Sequence, residues 1–396
     1  MRVKVDHEKC FLGLGKKCGR CTQLCPKRVL GIRERKVQAL QPEECILCQC
    51  CKGSCPAGFD VINIKEEISV KPMVVSKVHR TGERLRVRLG SLLLPTPLIL
   101  ASGPIGRCRQ GWLDAVHAGL GAVVTKTTLP VPWPGNAAIR IMPFQRDMLV
   151  NCEGLPNLGA QNIAEEVQRV RGNLGEAVLT VSMTASTEEE FVEMARLFQG
   201  SGADALELAL MACPNYSSTS GRAAQAWNDD LGKAFRLIDK VRKAVSIPIW
   251  VKGVSSKNLA KALEEAGADA LVIRSGSLRA LPLDPESGRP VLSHPLGEGS
   301  LTGPYTKLPG IKIVADMARE VRIPIIGNGG VTCGQDVIDY MRAGASAVEL
   351  LTVLIRRGMK IVASILDEID TFLETHGYSS AEEVKIKSLS IVRKAE

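Results

Sequence analysis

The sequence predicts an α/β protein, a (β/α)8 barrel preceded by a small cysteine-rich domain. From about residue 96, short apolar and β-branched runs alternate with stretches of helical period, as strands alternate with helices in such a barrel. Before that point, eight of the nine cysteines in the first 55 residues fall into two sets, each closing on Cys-Pro. A doubly wound sheet is the alternative arrangement of the same strand–helix units.

Eight apolar runs predict the barrel strands. They are Pro97–Ala101, Ala122–Thr125, Val178–Met183, Ala205–Leu210, Pro248–Val251, Ala270–Ile273, Ile323–Gly327 and Ala347–Leu351. Helices are predicted between them, for example at Glu188–Gly200, Asp229–Val245, Ser256–Ala266 and Gln335–Ala343. Gly-Ala-Asp or Gly-Ala-Ser follows three of these helices, where a glycine after the last turn is favoured.

The chain of 396 residues divides by composition into four parts. We expect the cysteine-rich domain at 1–70, a linker and barrel lead-in at 71–95, the barrel at 96–376 and a C-terminal tail at 377–396. No apolar run reaches the about 18 residues that a membrane-spanning helix needs, and the N-terminus has no apolar signal region. We therefore expect a cytoplasmic protein that does not enter a membrane.

The net charge of +9 raises the question of a nucleic-acid partner. Residues 1–70 contain 13 Lys/Arg against 8 Asp/Glu, so +5 of the charge lies there. There is no long basic run, and aromatic residues that could stack on bases are only 4% of the chain. A basic face toward an acidic redox partner protein fits this charge equally well, so the charge by itself does not indicate a nucleic-acid partner.

The cysteine spacing indicates two [4Fe-4S] clusters in a ferredoxin-like domain. In bacterial ferredoxins three closely spaced cysteines hold one cluster, and the cysteine before proline ligates the other. One predicted set is therefore Cys10, Cys18, Cys21 and Cys55, and the other is Cys45, Cys48, Cys51 and Cys25. Structural zinc and disulfides are the alternatives, and neither needs this spacing. Cys50 breaks the pattern and is interpreted as a spare thiol.

Polar groups and glycines follow the predicted strands, where a barrel carries its active site. They are Ser102-Gly103-Pro104, Lys126-Thr127, Cys213-Pro214-Asn215, Lys252, Arg274-Ser275, Gly327-Asn328-Gly329-Gly330 and Thr352. Glycines after the seventh strand and a hydroxyl after the eighth suit the usual phosphate site of the barrel, because bare amides can approach phosphate oxygens closely.

These turns resemble those of the dihydroorotate dehydrogenase family and of the related pyrimidine-reducing half of dihydropyrimidine dehydrogenases. The resemblance covers about residues 85–355 and rests on six segments: 100–106 (LASGPIG), 121–127 (GAVVTKT), 151–157 (NCEGLPN), 213–215 (CPN), 301–303 (LTG) and 326–331 (IGNGGV). It implies FMN over the barrel mouth. Dihydropyrimidine dehydrogenases combine such a barrel with four-iron clusters, which agrees with the N-terminal cysteines.

The resemblance also implies roles for individual residues. Ala101, Ser102 and Gly103 would line the flavin ring through their backbone, with Thr127 beside them. Lys126 would contact flavin and substrate, and Lys252 the flavin N1/O2 edge. The phosphate would be held by Gly303, Gly329, Gly330 and Thr352, and the substrate ring by Asn151 and Asn215. For both lysines the alternative is a solvated or ion-paired surface charge, which the end of an apolar strand disfavours.

Cys213 matches the family's proton-transfer cysteine. There, flavin N5 exchanges a hydride with one carbon of a C=C bond, and the thiol exchanges a proton with the adjacent carbon from the opposite face. The alternative is a small buried apolar residue, which is how Cys108, Cys152 and Cys333 are interpreted.

Two departures from the family pattern bear on the substrate. The family has asparagine where this chain has Leu210, and Asn-Thr where it has Arg274-Ser275, so two of four ring-reading asparagines are absent. Sites built on amide hydrogen bonds discriminate strongly, so these losses predict a changed ligand. Arg274 could hold a carboxylate or phosphate of the substrate, or could pair with a neighbouring carboxylate.

No NAD or FAD fingerprint follows a strand, so the expected partner is a subunit carrying the NAD(P)H/FAD site, or ferredoxin. We also expect an oligomer. The leading hypothesis is an oxidoreductase acting on a C=C bond or its saturated form. The alternatives are an electron-transfer subunit with no pyrimidine substrate and an RNA-modifying flavoprotein similar to dihydrouridine synthases.

Overall fold

The computed structural model describes residues 2–10, 12–14, 18–23, 25, 28–42, 45, 51, 61–65, 82–137, 139–145, 147–211, 226–273 and 278–385. At the N-terminus these residues form strands β1 (Arg2–Val5), β2 (Leu30–Arg33), β3 (Lys36–Ala39) and β4 (Ile62–Lys65) and the single-turn helix α1 (Arg20–Gln23). β1 pairs antiparallel with β4, and β2 with β3. Their small core combines aliphatic side chains with Cys10, Cys21, Cys25 and Cys51.

The lead-in is a hairpin of β5 (Val87–Leu89) and β6 (Leu92–Leu94). Leu85, Val87 and Leu89 are buried in the same core as the barrel strands. The lead-in therefore packs as part of the barrel.

Twelve further strands follow: β7 (Leu98–Leu100), β8 (Ala122–Val124), β9 (Ile141–Pro143), β10 (Leu149–Asn151), β11 (Val178–Met183), β12 (Ala205–Ala209), β13 (Ile249–Val254), β14 (Ala270–Ile273), β15 (Leu278–Ala280), β16 (Gly299–Thr302), β17 (Ile325–Asn328) and β18 (Ala347–Leu350). Eight of them close into a parallel barrel in the order β7, β8, β11, β12, β13, β14, β17, β18. These are the eight predicted strands, so the barrel is confirmed and the doubly wound sheet is excluded.

Helices cover the outside of the barrel and alternate with its strands. They are α2 (Arg109–His117), α3 (Ala160–Val170), α4 (Glu188–Gly200), α5 (Leu231–Ala244), α6 (Lys257–Glu265), α7 (Lys307–Glu320), α8 (Gly334–Ala343), α9 (Thr352–Arg357) and α10 (Ile361–Thr375). The start of α5 is fixed by Asp230, whose side chain accepts a hydrogen bond from the Lys233 amide. Gly344 ends α8 in the left-handed conformation, with φ of 117°.

The remaining four strands form an antiparallel sheet in the order β15, β16, β10, β9. β9 and β10 follow barrel strand β8, and β15 and β16 follow β14, so both pairs leave the barrel at the carboxyl ends of its strands. Asn151 in β10 lies opposite Ser300 in β16. Val150, Cys152 and Leu292 give this sheet a small core of its own. No helix among the described residues is long and apolar enough to cross a membrane.

Candidate active site

A cavity of about 340 Å³ opens at the carboxyl ends of the barrel strands. Its volume is within the range of small-molecule sites. Ten of the residues predicted to contact cofactor or substrate line it: Ala101, Ser102, Gly103, Lys126, Asn151, Lys252, Gly303, Gly329, Gly330 and Thr352. The four-stranded sheet supplies part of the wall through Ile141, Leu149, Asn151 and Thr302.

Lys126, which follows β8, is paired inside the cavity rather than solvated. Its Nζ lies 2.6 Å from Oε2 of Glu153, and the two side chains are only 8% and 11% exposed. Burial raises the pKa of Glu153, but the charge and hydrogen bond of Lys126, with Arg107 and Arg140, outweigh it and hold that pKa below its usual value. Glu153 is therefore ionised, and it neutralises much of the charge that Lys126 presents to a ligand.

Lys252, in β13, contacts two carboxyl groups inside the barrel. Its Nζ lies 3.2 Å from Oε2 of Glu207 in β12 and 2.7 Å from Oε2 of Glu349 in β18. Both glutamate side chains are 0% exposed. Burial lowers the pKa of Lys252, but the two carboxyl groups outweigh it and raise that pKa well above its usual value. The cation is thus fixed at the base of the cavity.

The two glutamates differ from ordinary ion-pair partners because one lysine serves both. Burial, and next the neighbouring charge of Glu207, raise the pKa of Glu349 to about 8 although Lys252 lowers it. Asn328 donates a further hydrogen bond to Oε2 of Glu349. Lys252, Asn328 and Glu349 all line the cavity.

Bare backbone also lines the cavity. Gly330 has φ of +71°, and a Cβ there would lie 2.6 Å from the backbone nitrogen of Lys307. Thr352 Oγ1 donates to Thr302 Oγ1 over 3.1 Å, so two hydroxyl groups stand beside the glycines. Short polar side chains and exposed amides suit a phosphate group.

Ser102 and Thr127 connect the first strands of the barrel. The Thr127 amide donates to Ser102 Oγ over 2.9 Å, and the Thr127 hydroxyl contacts Ser182 Oγ at 3.0 Å. Ser102 and its neighbours Ala101 and Gly103 line the cavity, whereas Thr127 stands behind Ser102. The structure thus does not bring Thr127 to the wall, and its contribution is to fix Ser102.

Cys213, predicted to be catalytic, and Asn215 and Arg274, predicted to bind the substrate, lie outside the described residues. Asn151 is described, and its Nδ2 donates to the Ser300 carbonyl over 3.2 Å. Leu210, at a position where the family has asparagine, is fully buried and does not line the cavity, whereas Met211 does.

Of the eight predicted cluster ligands, Cys48 and Cys55 also lie outside the described residues. Of the other six, Cys10, Cys21, Cys25 and Cys51 are buried in one core against which Cys45 packs, and Cys18 is half-buried. The Cys25 Sγ accepts a hydrogen bond from the Val29 amide over 3.3 Å. Among the described residues no three side chains are grouped as metal ligands, so the clusters stay a prediction.

Three site residues were not predicted from the sequence: Glu153, Glu207 and Glu349. Glu207 and Glu349 each stand within an apolar strand, which is the signal that could have revealed them, since a carboxylate there must be buried and paired. Glu153 lies two residues after Asn151, near the end of an extended segment, where it can reach the same cavity as Asn151.

Comparison with known proteins adds the following similarities. A sequence model of the family described as "Dihydroorotate dehydrogenase" matches residues 84–373. A protein of Thermococcus kodakarensis named "Dihydroorotate dehydrogenase B (NAD(+)), catalytic subunit" is 33% identical over 314 residues, which cover 77% of this chain and 98% of that protein. A protein of the same name from Methanocaldococcus jannaschii is 33% identical over 307 residues, 75% of this chain and 96% of its own.

A solved structure of DHODH in complex with ferulenol, from Eimeria tenella, is similar with a TM-score of 0.64 and 22% identity, covering 78% of this chain and 89% of that one. At this identity the likeness concerns the fold.

Proposed function

The chain belongs to the dihydroorotate dehydrogenase family, whose members are oxidoreductases acting on CH–CH groups, and we propose that it interconverts a C=C bond and its saturated form in a dihydropyrimidine- or dihydroorotate-like substrate. We propose FMN as its cofactor. The observation that carries this is the cavity itself, which joins two fixed lysines, bare glycine backbone and a pair of hydroxyl groups at the carboxyl end of the barrel. This combination offers sites for an anionic ring edge and for a phosphate.

When bound, FMN would supply hydride exchange with a substrate carbon. The residues around it supply position and charge. Lys252, held by Glu207 and Glu349, would place a cation against the N1/O2 edge, where negative charge accumulates on reduction. Gly303, Gly329, Gly330 and Thr352 would hold the phosphate, and Ala101, Ser102 and Gly103 would support the ring.

The proton is assigned to Cys213 on the sequence motif Cys213-Pro214-Asn215 alone, because the loop after β12 lies outside the described residues. The thiol would give a proton to, or take one from, the carbon next to the one that exchanges the hydride. Lys126, Asn151 and Asn215 would orient the ring.

We further propose that electrons pass through two [4Fe-4S] clusters in the N-terminal domain to or from a partner. The cysteine spacing supports this, as do the shared core of four of these cysteines and the amide hydrogen bond to Cys25. The similar archaeal proteins are named as NAD(+) catalytic subunits, which favours a nicotinamide-handling partner subunit; ferredoxin is the alternative.

A second candidate is an electron-transfer subunit that has no pyrimidine substrate. It is favoured by Leu210, because the side chain that replaces a ring-reading asparagine is buried away from the cavity.

One titration separates the two candidates. The protein is reduced without oxygen and then mixed with orotate, uracil or thymine while flavin absorbance is followed, and the oxidised protein is mixed with dihydroorotate. Oxidation or reduction of the flavin by one of these compounds supports the first candidate. A flavin that responds to a redox partner but to no pyrimidine supports the second and refutes the first.

The role of Cys213 is tested with Cys213→Ala against the matched control Cys108→Ala, a half-buried cysteine at the start of α2 that does not line the cavity. Turnover should fall at least 100-fold in Cys213→Ala, in line with the about 10²–10⁴-fold contribution of general acid catalysis, and stay unchanged in Cys108→Ala. Wild-type turnover in Cys213→Ala, with FMN bound, would remove the assignment.

A further inference from the structure

Three charged groups that belong to three barrel strands meet at the base of the cavity, and their charges do not balance. Glu207 and Glu349 carry two carboxyl groups, and Lys252 carries one ammonium group that contacts both, at 3.2 and 2.7 Å. Both glutamates are 0% exposed. If all three groups were ionised, one uncompensated negative charge would be buried, which is strongly unfavourable.

The hydrogen bonds also indicate that the three groups are not all ionised. Oε2 of each glutamate accepts from Lys252, and Oε2 of Glu349 also accepts from Asn328. Oε1 of Glu207 and Oε1 of Glu349 are buried, and no described residue donates to either. A side-chain hydrogen bond with Glu207 is also among the causes that raise the pKa of Glu349. A proton on one of them supplies the missing donor, because a protonated carboxyl donates where a carboxylate can only accept.

We propose that Glu207 and Glu349 share one proton, and that this proton sets the charge facing the flavin N1/O2 edge, so that the pair couples the flavin potential to pH. The proposal rests on the proposed binding of FMN and goes beyond it by assigning a positioning and charge-setting role to Glu349. With the proton in place, Lys252 and the pair carry no net charge. Without it they carry one negative charge, which opposes reduction of a flavin that becomes anionic.

The groups that act on Glu349 can be named. The charged groups that shift its pKa are Lys252 from β13 and Glu207 from β12. On its neighbouring strands, Asn328 of β17 and Ile99 of β7 lie opposite it and do not titrate. Across the cavity, Lys126 and Glu153 neutralise one another. The proton enters from water and returns to water, so only an O–H bond forms or breaks and no electron moves within the pair.

The test compares Glu349→Gln, which imitates the protonated state permanently, with wild type. The control is Glu153→Gln, which removes another cavity carboxylate, one that is ionised and has its own lysine. The midpoint potential of bound FMN is measured across the pKa of Glu349, which lies at about 8. Above that pH the wild-type potential should fall more steeply than that of Glu349→Gln, by up to about 30 mV per pH unit, one proton for two electrons. Glu153→Gln should shift the potential and keep the wild-type slope.

A second measurement does not need FMN. The infrared spectrum of the apoprotein at neutral pH should contain the C=O band of a buried protonated carboxyl group. Glu349→Gln and Glu207→Gln should each remove this band, and Glu153→Gln should keep it. Equal potential slopes in wild type and Glu349→Gln, or an apoprotein band that survives both substitutions, would overturn the proposal. Failure of every pyrimidine to react with the flavin would sink the proposed substrate and leave these two results unaffected.

Discussion

Replacing Lys252 by methionine should reveal how much the barrel depends on one buried cation. The substitution keeps the length of the side chain and removes the ammonium group that lies 2.7 and 3.2 Å from two carboxyl groups with no exposed surface. Removal of one partner from a buried ion pair costs about 3–5 kcal/mol, because the remaining charge is left buried and uncompensated. We expect Lys252→Met to lower the free energy of unfolding by about this amount at neutral pH.

The stability loss of Lys252→Met should depend on pH. Without Lys252, which lowers the pKa of Glu349 in wild type, the folded pKa of Glu349 lies still further above its unfolded value, so the folded variant binds a proton that the unfolded chain releases. Its stability should be closest to wild type in acid, below the unfolded pKa of about 4.3, and should fall as the pH rises. Lys252→Met/Glu349→Gln should recover part of the loss, because only one carboxyl group then lacks a partner.

The assay is urea unfolding of the apoprotein, followed by circular dichroism and by tryptophan fluorescence, to which Trp250, buried two residues before Lys252 in β13, contributes. A loss below about 1 kcal/mol, typical of a surface ion pair, would refute the reasoning. So would a double variant whose loss is the sum of the two single losses, since the three groups would then not act as one unit.

Three further results are expected. Glu153→Gln should leave the charge of Lys126 uncompensated and raise the affinity for orotate at least tenfold relative to that for uncharged uracil. Both affinities are measured by titration of the flavin spectrum. An unchanged ratio of the two affinities would show that Lys126 does not contact the substrate. Gly330→Ala should weaken FMN binding at least tenfold in fluorescence titration, because a Cβ there would lie 2.6 Å from the backbone nitrogen of Lys307. The control Gly172→Ala, at a position with open space around it, should bind FMN as wild type does. Between pH about 4.5 and about 8, the free energy of unfolding should decrease less in Glu349→Gln than in wild type. The reason is that the folded wild type keeps a proton in this pH range that its unfolded chain releases.

The barrel could be predicted because buried parallel strands are nearly continuous apolar runs, and all eight strands lie within two or three residues of the predicted ends. The lysines and glycines of the cavity could be predicted for the same reason, since the end of a strand fixes where the next side chain points. Lys126 and Lys252 thus line one cavity although 126 and 252 are far apart in sequence.

The sheet of β9, β10, β15 and β16 could not be predicted. Its strands have only three or four residues, which is too short for an apolar period to appear in the sequence. The pairing of β10 with β16 joins segments about 150 residues apart, which no local pattern reports. The contact of Lys252 with both Glu207 and Glu349 could not be predicted for a similar reason, because their strands meet only once the barrel closes.

The pairing of Asn151 with Ser300 has a consequence for how this site can change over time. Two segments that leave the barrel after different strands pair with each other in one sheet, which forms a wall of the cavity. Neither segment can therefore be lengthened or exchanged alone without leaving an unpaired strand edge. Ligand preference should therefore change either by single side-chain substitutions on this wall or by replacement of both segments together. A graft of 139–151 from a relative should need the matching 278–302 from the same donor in order to fold.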